Sequence, residues 1–296
     1  MQILNGHDGP IHAIAFAPDG QTLVSAGKDG TLRSWDAGGE GTELLKSDAP
    51  VASLAWSSDG RRLASGGADG TVVVNDLEAE QVKVFRPMGT SSITGLAFLP
   101  GDATLAISAA DEPDRTGNRP GLCLFEWKTG KARSLPIDQA ATGSVRTLAN
   151  HRSTRMLGWA TEQRVLSVWN QMRPDPWRLH LKSPCRALAF SADGKLLAAS
   201  ADWKVTLYEV ERRVERATLI GHKGVVAALA FSPDDRILVT GSWDKTLRFW
   251  DPATGVEKTA YEWPVGRISA TTFSQDGLRA AVAGDAGAIV IWDVDE

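Results

Sequence analysis

Hydrophobic and polar positions alternate along this chain in short runs that stop at turn residues. Seven runs close on an aromatic or amide residue followed by an acid or amide: Thr31-Leu-Arg-Ser-Trp35-Asp36, Thr71-Val-Val-Val-Asn75-Asp76, Gly121-Leu-Cys-Leu-Phe125-Glu126, Val165-Leu-Ser-Val-Trp169-Asn170, Lys204-Val-Thr-Leu-Tyr208-Glu209, Thr246-Leu-Arg-Phe-Trp250-Asp251 and Ala288-Ile-Val-Ile-Trp292-Asp293. Runs this short, rich in β-branched and aromatic residues, predict strands rather than helices. The penultimate positions 35, 75, 125, 169, 208, 250 and 292 are separated by steps of 40, 50, 44, 39, 42 and 42 residues, a period that marks repeated supersecondary units.

A second element lies upstream of most runs, as in Ile14-Ala-Phe16-Ala-Pro-Asp19-Gly20, Leu54-Ala-Trp56-Ser-Ser-Asp59-Gly60 and Leu229-Ala-Phe231-Ser-Pro-Asp234-Asp235. Proline presets φ, aspartate caps its own turn and glycine accepts positive φ, so each predicts a hairpin. The fourth copy, Leu148-Ala-Asn150-His-Arg-Ser, has lost it. Each unit therefore reads as strand, tight turn, strand, Asp-Gly turn, strand ending in Trp-Asp, and a variable fourth strand.

On these motifs the whole chain resembles the WD40-repeat family. The clearest copies begin at Gly6-His7 and Gly221-His222, each with 28 residues from histidine to Trp35 or Trp250. The resemblance implies an all-β, seven-bladed WD40-type β-propeller. The expected organisation is a single propeller domain over 1–296, with repeat blocks 7–46, 47–88, 89–140, 141–180, 181–221, 222–263 and 264–296. Residues 1–5 are expected to join the last blade as the strand that closes the ring.

His7, Ser25, Asp29 and Trp35 recur as His222, Thr240, Asp244 and Trp250, and the first set contains the residue types of a hydrolase triad. No nucleophile elbow accompanies it. The resemblance implies a structural role, a buried network linking the loop before the first strand to the second strand, its Asp turn and the third strand. The other copies place Ser47, Gly89, Ala141, Leu181 and Pro264 at the histidine position; the turn aspartate is matched by Asp69 and Asp202 but is Gln163 in the fourth. Those blades should rely on apolar packing.

Composition narrows the function. With 32 basic and 36 acidic residues the formal net charge is -4, so no global positive field would hold a nucleic-acid backbone, and nucleic acid is not the expected partner. Two cysteines, Cys123 and Cys185, without metal-ligand spacing argue against a disulfide framework and a zinc site. No phosphate loop, dinucleotide fingerprint or metalloprotease helix occurs, so no cofactor, metal or catalytic residue is expected. The chain shows no secretory leader and no membrane span, and a cytoplasmic location is expected.

The resemblance therefore implies a non-catalytic protein-interaction scaffold, the alternative being a propeller enzyme or small-molecule binder that uses the central channel. Partners would dock on the face built by the loops into the first strands and the turns between second and third strands. Counting from the motifs puts His12, Lys28, Arg146, Arg186, Trp203, Trp243 and Arg267 there as partner-binding residues. Their basic and aromatic character points to an acidic protein or peptide, since arginine and tryptophan combine contact area with directional donors. The polar insertion Asp111–Pro120 falls on the same face by the same count.

Overall fold

The computed structural model describes residues 1–110, 121–135, 144–151, 153–173 and 176–294, so the insertion 111–120 and the histidine-position residue Ala141 lie outside the described residues. The described residues form seven four-stranded antiparallel sheets and no helix, the blades of a seven-bladed β-propeller. Blade 1 runs Ile11–Phe16, Leu23–Gly27, Thr31–Trp35, Gly41–Lys46, each strand paired to the next, and blades 2 to 6 repeat this order over 51–85, 92–134, 145–180, 188–220 and 226–262. The seventh sheet is assembled from both ends of the chain. Ile268–Phe273, Arg279–Gly284 and Ala288–Asp293 are joined by Gln2–Asn5, whose residues Gln2 to Asn5 pair antiparallel with Ile291 to Ala288.

By compactness the chain divides into a unit of residues 1–51 with 186–296 and a unit of residues 52–185. The first holds blades 5, 6, 7 and 1. Its core consists of apolar layers between neighbouring blades, such as Leu4, Ile11, Ile14, Phe16 and Trp35 against Ala281, Ala283, Ile289 and Ile291. The second holds blades 2, 3 and 4, with Ile93, Phe98, Leu105, Ile107 and Phe125 in one layer and Leu122, Leu124, Val145, Leu157 and Trp159 in the next.

The Ser-x-Asp turns have a local chemical cause. Ser57, Ser191, Ser232 and Ser274 each donate a hydroxyl hydrogen bond to the aspartate two residues on, at 2.5–2.8 Å, and accept the amide of the residue five on, at 2.8–3.0 Å. One side chain thus closes each hairpin and leaves its aspartate ionised at the surface.

Register also corrects two sequence expectations. In blades 1, 3, 4, 6 and 7 the first strand carries a bulge whose extra residue is His12, Thr94, Arg146, Ala227 or Ser269. In blade 6, counting one residue on from the first apolar residue of the strand, Val225, reaches Val226, but Val226 is buried and paired with Ser242, because a second apolar residue there shifts the bulge by one. Asp202 also departs from the repeat. Ala201 pairs directly with Lys204, so Asp202 and Trp203 are the tip of a hairpin one residue shorter than those of blades 1 and 6, and Asp202 has φ 53°.

Candidate functional site

The triad-like residues form one continuous hydrogen-bonded chain in each of two blades. In blade 1 the Asp29 carboxylate lies 3.0 Å from His7 Nδ1, His7 Nε2 lies 2.7 Å from Ser25 Oγ, and Ser25 Oγ accepts the Trp35 indole N–H at 2.8 Å. Blade 6 repeats it with Asp244, His222, Thr240 and Trp250 at 3.0, 2.7 and 2.8 Å. Asp29 also accepts the amides of Asp8 and Thr31 and the Thr31 hydroxyl, and Asp244 accepts those of Lys223 and Thr246 and the Thr246 hydroxyl.

The protonation states follow. Burial alone would raise each carboxyl, but the amide, hydroxyl and histidine donors outweigh it and hold Asp29 and Asp244 at about 2. Burial lowers His7 and His222 despite their aspartates, so each imidazole is neutral at pH 7. A carboxylate can only accept, so Nδ1 carries the proton and Nε2 accepts from the hydroxyl, which in turn accepts from the indole. Ser25 and Thr240 are fully buried with both hydroxyl functions used, so neither is a reachable nucleophile. The glycine before each histidine is required by this packing, since a Cβ on Gly6 or Gly221 would come within 3.0 Å of the Trp35 or Trp250 ring.

The serine position shows why blades 3, 4, 5 and 7 do without the network, whereas blade 2 keeps Ser65 but has Ser47 at the histidine position. Register places Ser65, Ile107, Trp159, Ala199 and Val282 there in blades 2, 3, 4, 5 and 7. In blade 4 the fully buried Trp159 ring occupies it, in the blade whose turn carries Gln163 instead of aspartate.

The partner-binding candidates distribute as follows. In the unit of residues 1–51 and 186–296, Arg186 of blade 5 lies with its guanidinium 4.8 Å from the centre of the Trp243 ring of blade 6, and Arg267 of blade 7 lies 6.0 Å from it. Trp243 is 39% exposed, so one accessible indole joins three consecutive blades. Arg267 is fixed by Asp285, which accepts its Nε at 2.7 Å and its backbone amide at 2.7 Å. Burial would raise the Asp285 carboxyl, but Arg267 and the nearby Lys245 lower it. Trp203, 43% exposed, has the Lys204 ammonium 4.4 Å from its ring centre. On blade 1, half-buried His12 is lowered first by burial and then by the Lys28 cation.

Arg146 belongs to the unit of residues 52–185, where it is ion-paired with Glu162 at 3.0 Å. That pairing joins the first strand of blade 4 to the turn between its second and third strands, and counting did not show it. It removes one free cation from the arginine cluster expected from sequence. Lys204 and Asp285 were also missed; their positions beside Trp203 and Arg267 depend on hairpin geometry. Among the described residues no group of three or more His, Cys, Asp or Glu could hold a metal ion.

Seven four-stranded blades with two Gly-His to Trp-Asp networks define a propeller of repeated blade units. Comparison with known proteins gives the family: segments 1–36, 42–76, 177–209 and 213–251 match the WD domain, G-beta repeat. Four of the seven blades thus carry WD40 repeats, and the described residues form a seven-bladed β-propeller. The matched segments contain the first three strands of blades 1, 2, 5 and 6, and the unmatched blades 3, 4 and 7 have Gly89, Ala141 and Pro264 in place of the histidine. An uncharacterized WD repeat-containing protein of Synechocystis is 37% identical over 91 residues, 30% of this chain and 26% of that protein. The guanine nucleotide-binding protein subunit beta of Nicotiana tabacum is 25% identical over 302 residues, 99% of this chain and 71% of that protein. Apoptotic protease-activating factor 1 of Rattus norvegicus is 24% identical over 300 residues, 98% of this chain and 22% of that protein. The chain thus spans about a quarter of the Synechocystis protein and less of the rat one.

Proposed function

We propose that this propeller is a non-catalytic interaction scaffold that docks an acidic segment of a partner protein on the face bearing Arg186, Trp203, Trp243 and Arg267, with His12 and Lys28 on blade 1. Propellers of the WD40 class are generally protein-interaction scaffolds, and the tobacco relative is by name a subunit of an assembly. The observation that carries the reading is the Trp243 indole held between Arg186 and Arg267. An exposed aromatic fixed by two cations from flanking blades presents area and positive charge without needing to be ordered on binding. Arg267 is aimed by Asp285, so its remaining N–H groups keep one direction.

A local basic patch on a chain of net charge -4 selects its partner by charge and speeds encounter at low salt. A cytoplasmic location accords with the burial of both cysteines, of which Cys123 has its thiol pushed by burial to about 12. No helix among the described residues is long and apolar enough to cross a membrane.

The test is affinity capture with wild type, Arg186→Glu and Trp243→Ala, each first shown to unfold like wild type. The expected result is loss of one acidic partner by both variants, with wild-type binding that weakens as salt rises. Undiminished binding by both variants, with loss caused instead by substitutions at the Asp19 or Asp193 turns, refutes the assignment.

A further inference from the structure

Among the described residues the outermost strand of each blade pairs with a neighbour on one side only. A sheet edge of this kind is a template for another chain unless charges, a bulge or shortness spoil it. In blades 1, 5 and 6 the outer strands Gly41–Lys46, Val214–Ile220 and Val256–Glu262 each have a register shift in their pairing and at least two charged residues. In blades 3, 4 and 7 the outer strands Lys131–Ser134, Trp177–His180 and Gln2–Asn5 have four residues each.

Blade 2 lacks these safeguards. Its outer strand Gln81–Phe85 pairs residue for residue with Val72–Asp76, without a shift, and its single charged residue is Lys83. Val82 and Val84 are 58% and 63% exposed, and among the described residues no other outer strand has two exposed large apolar side chains two positions apart.

The two faces of this strand differ in chemistry. Alternation puts the valines on one face and Lys83 with Phe85 on the other. Phe85 packs edge-on against Phe125 of blade 3 at 4.9 Å, and the Lys83 ammonium lies 5.4 Å from the centre of the Trp127 ring. Lys128 reaches the same ring at 5.6 Å and Arg62 at 5.1 Å. Arg62 is ion-paired with Asp59 and Asp76 at 3.2 and 3.0 Å, whereas among the described residues neither Lys83 nor Lys128 has a carboxylate partner. A strand added to this edge would take up its backbone groups, and its own side chains would fall alternately beside the valines and beside Lys83. Apolar side chains match the first face and carboxylates the second.

We infer that the outer strand of blade 2 accepts, as a fifth strand of its sheet, an extended segment of a partner protein in which apolar and acidic residues alternate. This edge shares no residue with the Arg186–Trp243–Arg267 cluster and does not depend on that reading.

The test measures binding of the full chain to the labelled synthetic peptide Thr-Val-Glu-Val-Glu-Val-Thr by fluorescence anisotropy. Comparison peptides carry lysine for glutamate, or N-methyl groups on the valine and glutamate amides. Wild type should bind the glutamate peptide, less tightly as salt rises, and should bind neither comparison peptide. Val84→Lys places a charge on the open face without removing a core contact, and should weaken binding by about fivefold. Lys83→Glu should lose the glutamate peptide and gain the lysine peptide, while Arg186→Glu leaves the affinity unchanged. Each variant is first shown to unfold in urea like wild type. No binding of the glutamate peptide, equal binding of the N-methylated one, full affinity in Val84→Lys, or indifference of Lys83→Glu to the charge of the peptide overturns the inference. So does a wild-type dimer that Val84→Lys dissociates and that binds no peptide, which would make the occupant a second copy of the chain.

Discussion

Replacing Asp244 by alanine removes the acceptor at the head of the blade 6 network. Four donors lose their partner: His222 Nδ1, the amides of Lys223 and Thr246, and the Thr246 hydroxyl. Trp250 keeps its own, because its indole donates to Thr240 and not to the aspartate. The His222 side chain is 1% exposed, so its N–H, cut off from water, is left with only the Thr246 hydroxyl oxygen at 3.1 Å, at a cost of about 1–3 kcal/mol. The Thr246 groups are half-buried and add roughly 0.5–1.5 kcal/mol, while the Lys223 amide lies where water can replace the carboxylate. The expected loss is about 2–4 kcal/mol.

The carboxyl's acidity gives an independent figure. A shift from 3.8 to about 2 in a side chain only 11% exposed corresponds to roughly 2–3 kcal/mol favouring the charged form in the fold. Urea unfolding followed by tryptophan fluorescence, with Asp202→Asn as control, measures the difference. Asp202 occupies a shorter hairpin outside any such network, so the control should change by less than about 0.5 kcal/mol. An Asp244→Ala loss below about 0.5 kcal/mol, or equal losses in both variants, refutes the reasoning.

The same groups predict the pH dependence. His7 and His222 have folded values below 6.5, so their contribution is complete above pH 6.5 and falls away as the pH drops through the lower folded values. Asp29 and Asp244 contribute fully above 3.8 and lose that contribution as the pH falls toward about 2. Stability should therefore decline in two stages on acidification, and a His7→Gln/His222→Gln variant should show a smaller first stage, left with the His12 contribution, in a pH series of urea midpoints. Deleting residues 1–5 exposes the ladder at Ala288 to Ile291 and removes Leu4, 2% exposed, from its layer. Burying one leucine is worth about 1.5–3 kcal/mol, so the calorimetric melting temperature should fall by roughly 2–5 °C. An unchanged melting temperature would show that the first strand adds nothing.

The repeat was legible because its causes are local. A strand that must end at a Trp-Asp pair, a Ser-x-Asp hairpin and a Gly-His before the first strand each impose residue types within a few positions, so counting recovered seven sheets and both networks. Nearest-neighbour chemistry also marks where the repeat weakens, since Gln163, Ala199 and Val282 cannot take part in a hydroxyl–imidazole–carboxylate chain. Counting failed where one residue was gained or lost. A second apolar residue moved the blade 6 bulge from Val226 to Ala227, and a shortened hairpin turned Asp202 away from the aspartate role.

What only tertiary structure decided is which side chains from different blades meet. Arg186, Trp243 and Arg267 are separated by 57 and 24 positions along the chain, and Ile3 reaches the face of Val290 from the other end of it. Sequence determines what each blade can bury, because the pattern of apolar and polar positions acts through hydrogen bonds and turns within about 40 residues. It does not determine which exposed arginine is neutralised by Glu162 or Asp285, or which ring stacks on which, because those contacts depend on the angles at which separately folded sheets pack.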